Sequence, residues 1–131
     1  TKIKSYVDYG AFTPVQVAAT AALNGSQKCV EEIRETYKKR RDVLIESFER
    51  AGWDKIPEPE ASMFVWAPLP KKYKKMGSMK FAKNLMINAD VAVAPGLAFG
   101  KRGEGFVRIG LVENTQRIRQ AAKNIKRYFN T

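Results

Sequence analysis

One apolar stripe limits what this chain can become. Val30, Ile33, Tyr37, Leu44 and Phe48 recur at the three-to-four spacing of a single helix face, and the run continues from Ser26 to Ala51 with Gly52 in the C-terminal cap position. A helix of about 25 residues is about 37 Å long. That exceeds what a small domain needs to cover its own core, so the helix is expected to join two structural units. Its other face, with Glu31, Glu35, Lys38, Lys39, Arg41 and Asp42, is expected in solvent. Six prolines and nine glycines spread over 131 residues exclude a coiled coil, a collagen and a disordered tail.

The segments around this helix have their own punctuation. Thr1 to Ala11 has no clear period and reads as a connection. Thr13-Pro14-Val15-Gln16 opens a helix: Thr13 can accept the Gln16 amide, Gln16 can reach back, and Pro14 suits the first helical position. Through Leu23 this helix is apolar nearly all round, so one side is expected on the core and the other on a further surface. Asn24-Gly25 ends it. Beyond the long helix, Pro57, Pro59, Pro68 and Pro70 bracket Ser62 to Ala67, a short strand rich in aromatic and β-branched residues. Lys71 to Lys75 reads as a solvated basic turn. Ser78 is expected to cap a helix with Phe81, Ala82, Leu85, Met86 and Ala89 inward. Val91 to Ala94 and Phe106 to Val112 read as strands. Asn114 caps a last helix whose apolar face is Ile118, Ala121, Ala122, Ile125, Tyr128 and Phe129. The expected fold is a small α/β (α+β) sandwich, with a short mixed, largely antiparallel sheet and helices packed on it.

Absent residue types narrow the chemistry. Without histidine there is no Ser-His-Asp or Cys-His machinery and no HExxH zinc site. The single cysteine, Cys29, forms no internal disulfide, suits a reducing compartment such as the cytoplasm, and reads as a small buried side chain. No apolar run approaches the roughly 20 residues of a membrane span, and no signal peptide is recognisable. Lysine and arginine number 24 against 13 acidic residues, a formal charge of +11. That charge invites a nucleic-acid reading, yet the basic residues are scattered and no recognition motif accompanies them.

Arg108 is the residue that stands out. It lies in a strand whose Val107, Ile109 and Leu111 face one side, so it faces the other, beside Gly110. A guanidinium placed there suits a planar anion such as a carboxylate, through two parallel hydrogen bonds. On spacing alone, a half-exposed strand arginine paired with Glu113 or Glu104 is the commoner arrangement. Pro95-Gly96-Leu97-Ala98-Phe99-Gly100 is a second candidate, a strand exit that could line a cleft. Lys101 to Gly105 lacks the P-loop pattern and does not open a helix.

Five segments occur in one order: Thr13 to Ala19, Tyr37 to Leu44, Ala61 to Ala67, Val93 to Gly96 with Phe99-Gly100, and Gly105 to Asn114. In that order they resemble the C-terminal portion of class I/II pyridoxal-phosphate aminotransferases of fold type I, and most of all the bacterial alanine, aspartate and LL-diaminopimelate group. The resemblance implies that Arg108 clamps the substrate α-carboxylate and that Pro95, Gly96 and Phe99 belong to a substrate loop moving with domain closure. Ala61 stands where the family more often has glycine. It also implies that residues 1–25 are a linker and apolar helix from the large-domain side, and residues 26–131 the small domain. The implied activity is ping-pong transfer of an amino group between an amino acid and a 2-oxo acid by a homodimer with pyridoxal 5'-phosphate. No S-x-x-K motif for the cofactor lysine occurs in the sequence, so no catalytic or cofactor-binding residue is assigned, and the chain is expected to be a C-terminal fragment inactive alone. The alternative is a non-enzymatic basic module that binds nucleic acid or an acidic protein.

Overall fold

Proline and glycine punctuation divides the chain much as its pattern predicts. The structure, a computed structural model, describes residues 2–7 and 10–131, which fall into two compact units, Thr1–Arg34 and Glu35–Thr131. In the first unit lie α1 (Lys2–Val7), α2 (Thr13–Asn24) and the opening turns of α3 (Lys28–Arg50). The expected connection over Thr1 to Ala11 thus carries a short helix at Lys2–Val7, while residues 1, 8 and 9 lie outside the described residues. Phe12 rather than Thr13 holds the N-cap of α2, and no side chain caps it; Gln16 does reach back, donating from its Nε2 to the Ala11 carbonyl.

Neither expected burial of α2 is met within its unit. No α2 residue is buried, and Leu23 is 80% exposed. On α3 the stripe is likewise open at Val30 and Ile33, half-buried at Tyr37, and buried only at Leu44 and Phe48. A 34-residue unit of helices has too little surface to enclose such side chains. Cys29 is exposed for the same reason, not buried. Arg41 departs in the other direction: its Nη2 meets Glu58 at 2.6 Å and Asp42 at 2.7 Å, and its Nη1 donates to the Pro59 carbonyl.

In the second unit, three antiparallel strands run in the order β1-β3-β2, with β1 at Phe64–Pro68, β2 at Ala94–Pro95 and β3 at Phe106–Gly110. Among the described residues both strand pairs are antiparallel. The second strand is shorter than its sequence suggests. Only Ala94 and Pro95 pair with β3, on a sheet edge where a residue without an N–H is tolerated, and Val91 packs into the core instead.

One face of this sheet carries Val65, Ala67, Val107 and Ile109 into a core completed by α4 (Ser78–Ala89), α5 (Thr115–Phe129) and the second half of α3. Met86, expected inward on α4, is 55% exposed because its turn points past the packed stripe of Phe81, Leu85 and Ala89. Asn114 caps α5 as expected, its Oδ1 accepting the amides of Gln116 and Arg117; such a cap contributes about 1 kcal/mol. Two aromatic residues outside the predicted core complete it. Trp53 packs within 6 Å of the Phe48, Phe81 and Phe129 rings and donates from Nε1 to the Pro68 carbonyl at 2.9 Å. Tyr73 sits in the Lys71–Met76 segment, which forms a 3-10 helix that buries its aromatic ring and leaves the lysines in solvent.

Candidate functional site

Strand alternation builds the site. With Val65, Ala67, Val107 and Ile109 turned to the core, the other sheet face receives Phe64 and Trp66 from β1 and Phe106 and Arg108 from β3. The register sets Trp66 opposite Arg108 and Ala94 on its other side. A 3-10 turn, Gly96–Phe99, follows β2 and brings Phe99 over this face. The Arg108 guanidinium carbon then lies 4.2 Å from the Phe64 ring centre and 4.4 Å from that of Phe99. Trp66 stacks on Phe106 at 5.6 Å and meets Phe99 edge-on at 5.7 Å.

Among the described residues Arg108 has aromatic neighbours and no anionic partner. None of the ion pairs or hydrogen bonds among the described residues involves its guanidinium, so neither Glu104 nor Glu113 pairs with it. It is half-buried, and no buried side-chain polar atom among the described residues lacks a partner, so its donors reach solvent. Contact with ring faces holds a guanidinium without consuming its N–H donors. The result is a cation fixed on an apolar floor, with its fork available to a carboxylate.

Glu104 is engaged elsewhere. Its Oε1 accepts the Ser78 amide at 2.6 Å and the Gly105 amide at 2.9 Å, and its Oε2 accepts the Ser78 hydroxyl at 3.0 Å. The Ser78 amide above all, then the Gly105 amide, hold the Glu104 carboxyl below the ordinary glutamate range; desolvation opposes them and the Ser78 hydroxyl assists. Ser78 is therefore not the cap of α4, as its sequence position suggested. Gly77 holds that position, Ser78 is the first helical residue and fully buried, and Glu104 supplies the capping acceptor from across the fold.

Of Pro95, Gly96 and Phe99, the structure sets Phe99 against Arg108, while Pro95 ends β2 opposite Val107 and Gly96 begins the turn. Phe99 is half exposed against the guanidinium, whereas Gly96 is buried with its backbone pressed on that of Gly103. Lys101–Gly103 forms a further 3-10 turn in this packing. Phe64, Trp66 and Phe106 went unrecognised as site residues. Their two-residue spacing on the strands was the available signal, but which strand lies opposite Arg108 is a matter of register. Two hollows in this unit, about 550 Å³ beside Lys72, Tyr73 and Arg127 and about 490 Å³ beside Phe48, Ile109 and Arg117, contain neither Arg108 nor Phe99. Among the described residues no group of His, Cys, Asp and Glu could hold a metal, and no helix is long and apolar enough to cross a membrane.

The family model for aminotransferase class I and II matches residues 3–125. The chain belongs to that family. Among curated relatives, it is 56% identical over all of its length to the putative aminotransferase AatC of Rhizobium meliloti, and 55% identical over 98% of its length to the glutamate-pyruvate aminotransferase AlaC of Escherichia coli. It spans 32% and 31% of those two proteins, about a third of their length. Among solved structures, substrate-bound BacF from Bacillus subtilis superposes with a TM-score of 0.85 at 32% identity, covering 97% of this chain and 32% of BacF. The expected small-domain fold of an aminotransferase therefore stands.

Aminotransferases of this family depend on pyridoxal phosphate. The cofactor bonds to a lysine, and every described lysine of this chain is exposed.

Proposed function

We propose that the whole protein is a pyridoxal-phosphate aminotransferase and that Arg108 binds the α-carboxylate of its amino-acid and 2-oxo-acid substrates. The observation that carries this reading is the Arg108 guanidinium, flanked by Phe64 and Phe99 and without a carboxylate partner among the described residues. A free amino acid offers two coplanar oxygens to a planar fork, and two parallel charge-assisted bonds fix both its position and its rotation. The same group serves both substrates, because an amino acid and its 2-oxo acid share the carboxylate. Phe64, Trp66, Phe99 and Phe106 lower the water content around the ion pair and strengthen it.

In this reading residues 1–25 belong with a large domain, residues 26–131 form the small domain, and Pro95, Gly96 and Phe99 belong to the substrate loop. The chain alone is inactive because it contributes no cofactor lysine. The whole protein works as a homodimer. Donors of the alanine, aspartate or glutamate type fit best, and the name of the AlaC relative supports an alanine–glutamate pair. The alternative of a basic module for nucleic acid or an acidic protein rests on the charge of +11 alone.

The test is amino-group transfer by the full-length protein, loaded with pyridoxal phosphate, from alanine or glutamate to 2-oxoglutarate or pyruvate. Turnover at about 1–10³ per second supports the reading. Absence of transfer with every common amino donor contradicts it.

A further inference from the structure

Phe99 lies in a turn that a hydrogen-bond relay ties to α4. The relay begins at Leu97, whose amide donates to Ser78 Oγ at 3.1 Å, and that hydroxyl donates in turn to Glu104 Oε2 at 3.0 Å. Ser78 has no exposed surface, so its hydroxyl has no water to replace either partner. Glu104 is itself fixed through Oε1 by the amides of Ser78 and Gly105. The two ends of the Gly96–Gly105 segment are thereby tied to the first turn of α4, and the Phe99 ring is held within the turn so tied.

We propose that Ser78 and Glu104 are positioning residues for substrate binding: together they form a latch that sets Phe99 against the Arg108 guanidinium. The inference rests on the reading of Arg108 as the carboxylate clamp. Arg108 is tethered by no hydrogen bond among the described residues, so ring contacts set where its fork points. Phe64 comes from a strand and is fixed by the sheet. Phe99 comes from a turn and is as well placed as the turn is held. Loss of the Ser78 hydroxyl leaves the Leu97 amide without its acceptor and Glu104 Oε2 without its donor, loosening the turn at its Leu97 end while Glu104 keeps the Ser78 and Gly105 amides.

The test uses full-length protein and propionate, a carboxylate that carries no amino group and cannot react, titrated calorimetrically into wild type, Ser78→Ala, Glu104→Gln, Phe99→Ala, Arg108→Ala and the Ser78→Ala/Phe99→Ala double variant. Thermal unfolding of each confirms that it is folded. The latch predicts that Ser78→Ala and Glu104→Gln each raise the propionate Kd by about three- to thirtyfold, the range expected when one cation–π neighbour is misplaced. It also predicts that the double variant binds no more weakly than Phe99→Ala, because the relay acts through that ring. A merely structural role for Ser78 would instead add its loss to that of Phe99→Ala, and this result overturns the latch. Wild-type affinity in both Ser78→Ala and Glu104→Gln, with weakened binding in Arg108→Ala, overturns the latch and leaves the clamp standing. Unchanged binding in Arg108→Ala overturns the clamp itself, and the latch with it.

Discussion

The Arg108 guanidinium lies 4.2 Å from the centre of the Phe64 ring, although the strand register pairs Phe64 with Gly110 and sets Trp66 opposite Arg108. Diagonal neighbours on an antiparallel pair are within reach of long side chains, and here the arginine leans toward the ring two residues away. Phe64→Leu in the full-length protein preserves most of the apolar area and removes the ring's charge distribution, whereas Phe64→Ala removes both. The KM for the amino acid is expected to rise about threefold in the first and about tenfold or more in the second. Steady-state kinetics with the amino donor varied check the order of the two variants, and equal KM values in wild type and Phe64→Ala contradict it.

Glu104 makes a pH-dependent contribution. Its carboxyl is held below the ordinary range by the Ser78 and Gly105 amides, so the charged form is favoured in the folded state. The stability it contributes is fully present above the pKa of an unfolded glutamate and is lost as pH falls through the lower folded value. The Tm difference between wild type and Glu104→Gln is therefore expected to be largest near neutral pH and to shrink below about pH 4. Thermal melts across that range check it. A difference that stays constant into acid contradicts the assignment.

Much of this was legible in the residues because local patterns carried it. The alternation around Arg108 fixed its side of the sheet, and Asn114 announced the last helix by a cap that needs only its own neighbours. What escaped depended on distant partners. Ser78 has the composition of a cap, yet a carboxylate 26 residues away takes that role, and no period in the sequence reports such a meeting. Trp53 and Tyr73 lie in segments whose prolines and lysines speak for loops, and their burial follows from the space between α4 and α5. Val30 and Ile33 show the reverse case, an apolar period with nothing in their own unit large enough to cover it.

Gly96 and Gly103 meet backbone to backbone. A Cβ on Gly96 would stand 1.9 Å from the Gly103 carbonyl oxygen and 2.7 Å from that of Phe106, and neither is a side chain that can swing away. Gly96→Ala is expected to destabilise the protein by about 2–3 kcal/mol, the cost of overpacking that only a backbone shift relieves. Urea denaturation measures it through the midpoint. An unchanged midpoint would show that the turn is not packed against Gly103 as described.

Arg108 is the residue on which the functional account stands. The most direct measurement is the rate of the first half-reaction of full-length Arg108→Ala with alanine and, separately, with ethylamine, which has the same amino group and no carboxylate. Removing one partner of a hydrogen-bonded charge pair costs about 2–5 kcal/mol, so kcat/KM for alanine is expected to fall by about thirtyfold to several thousandfold. The rate with ethylamine should stay within about twofold of wild type, since Arg108 has nothing there to bind. An equal loss with both amines, or no loss with alanine, contradicts the assignment of Arg108 as the carboxylate clamp.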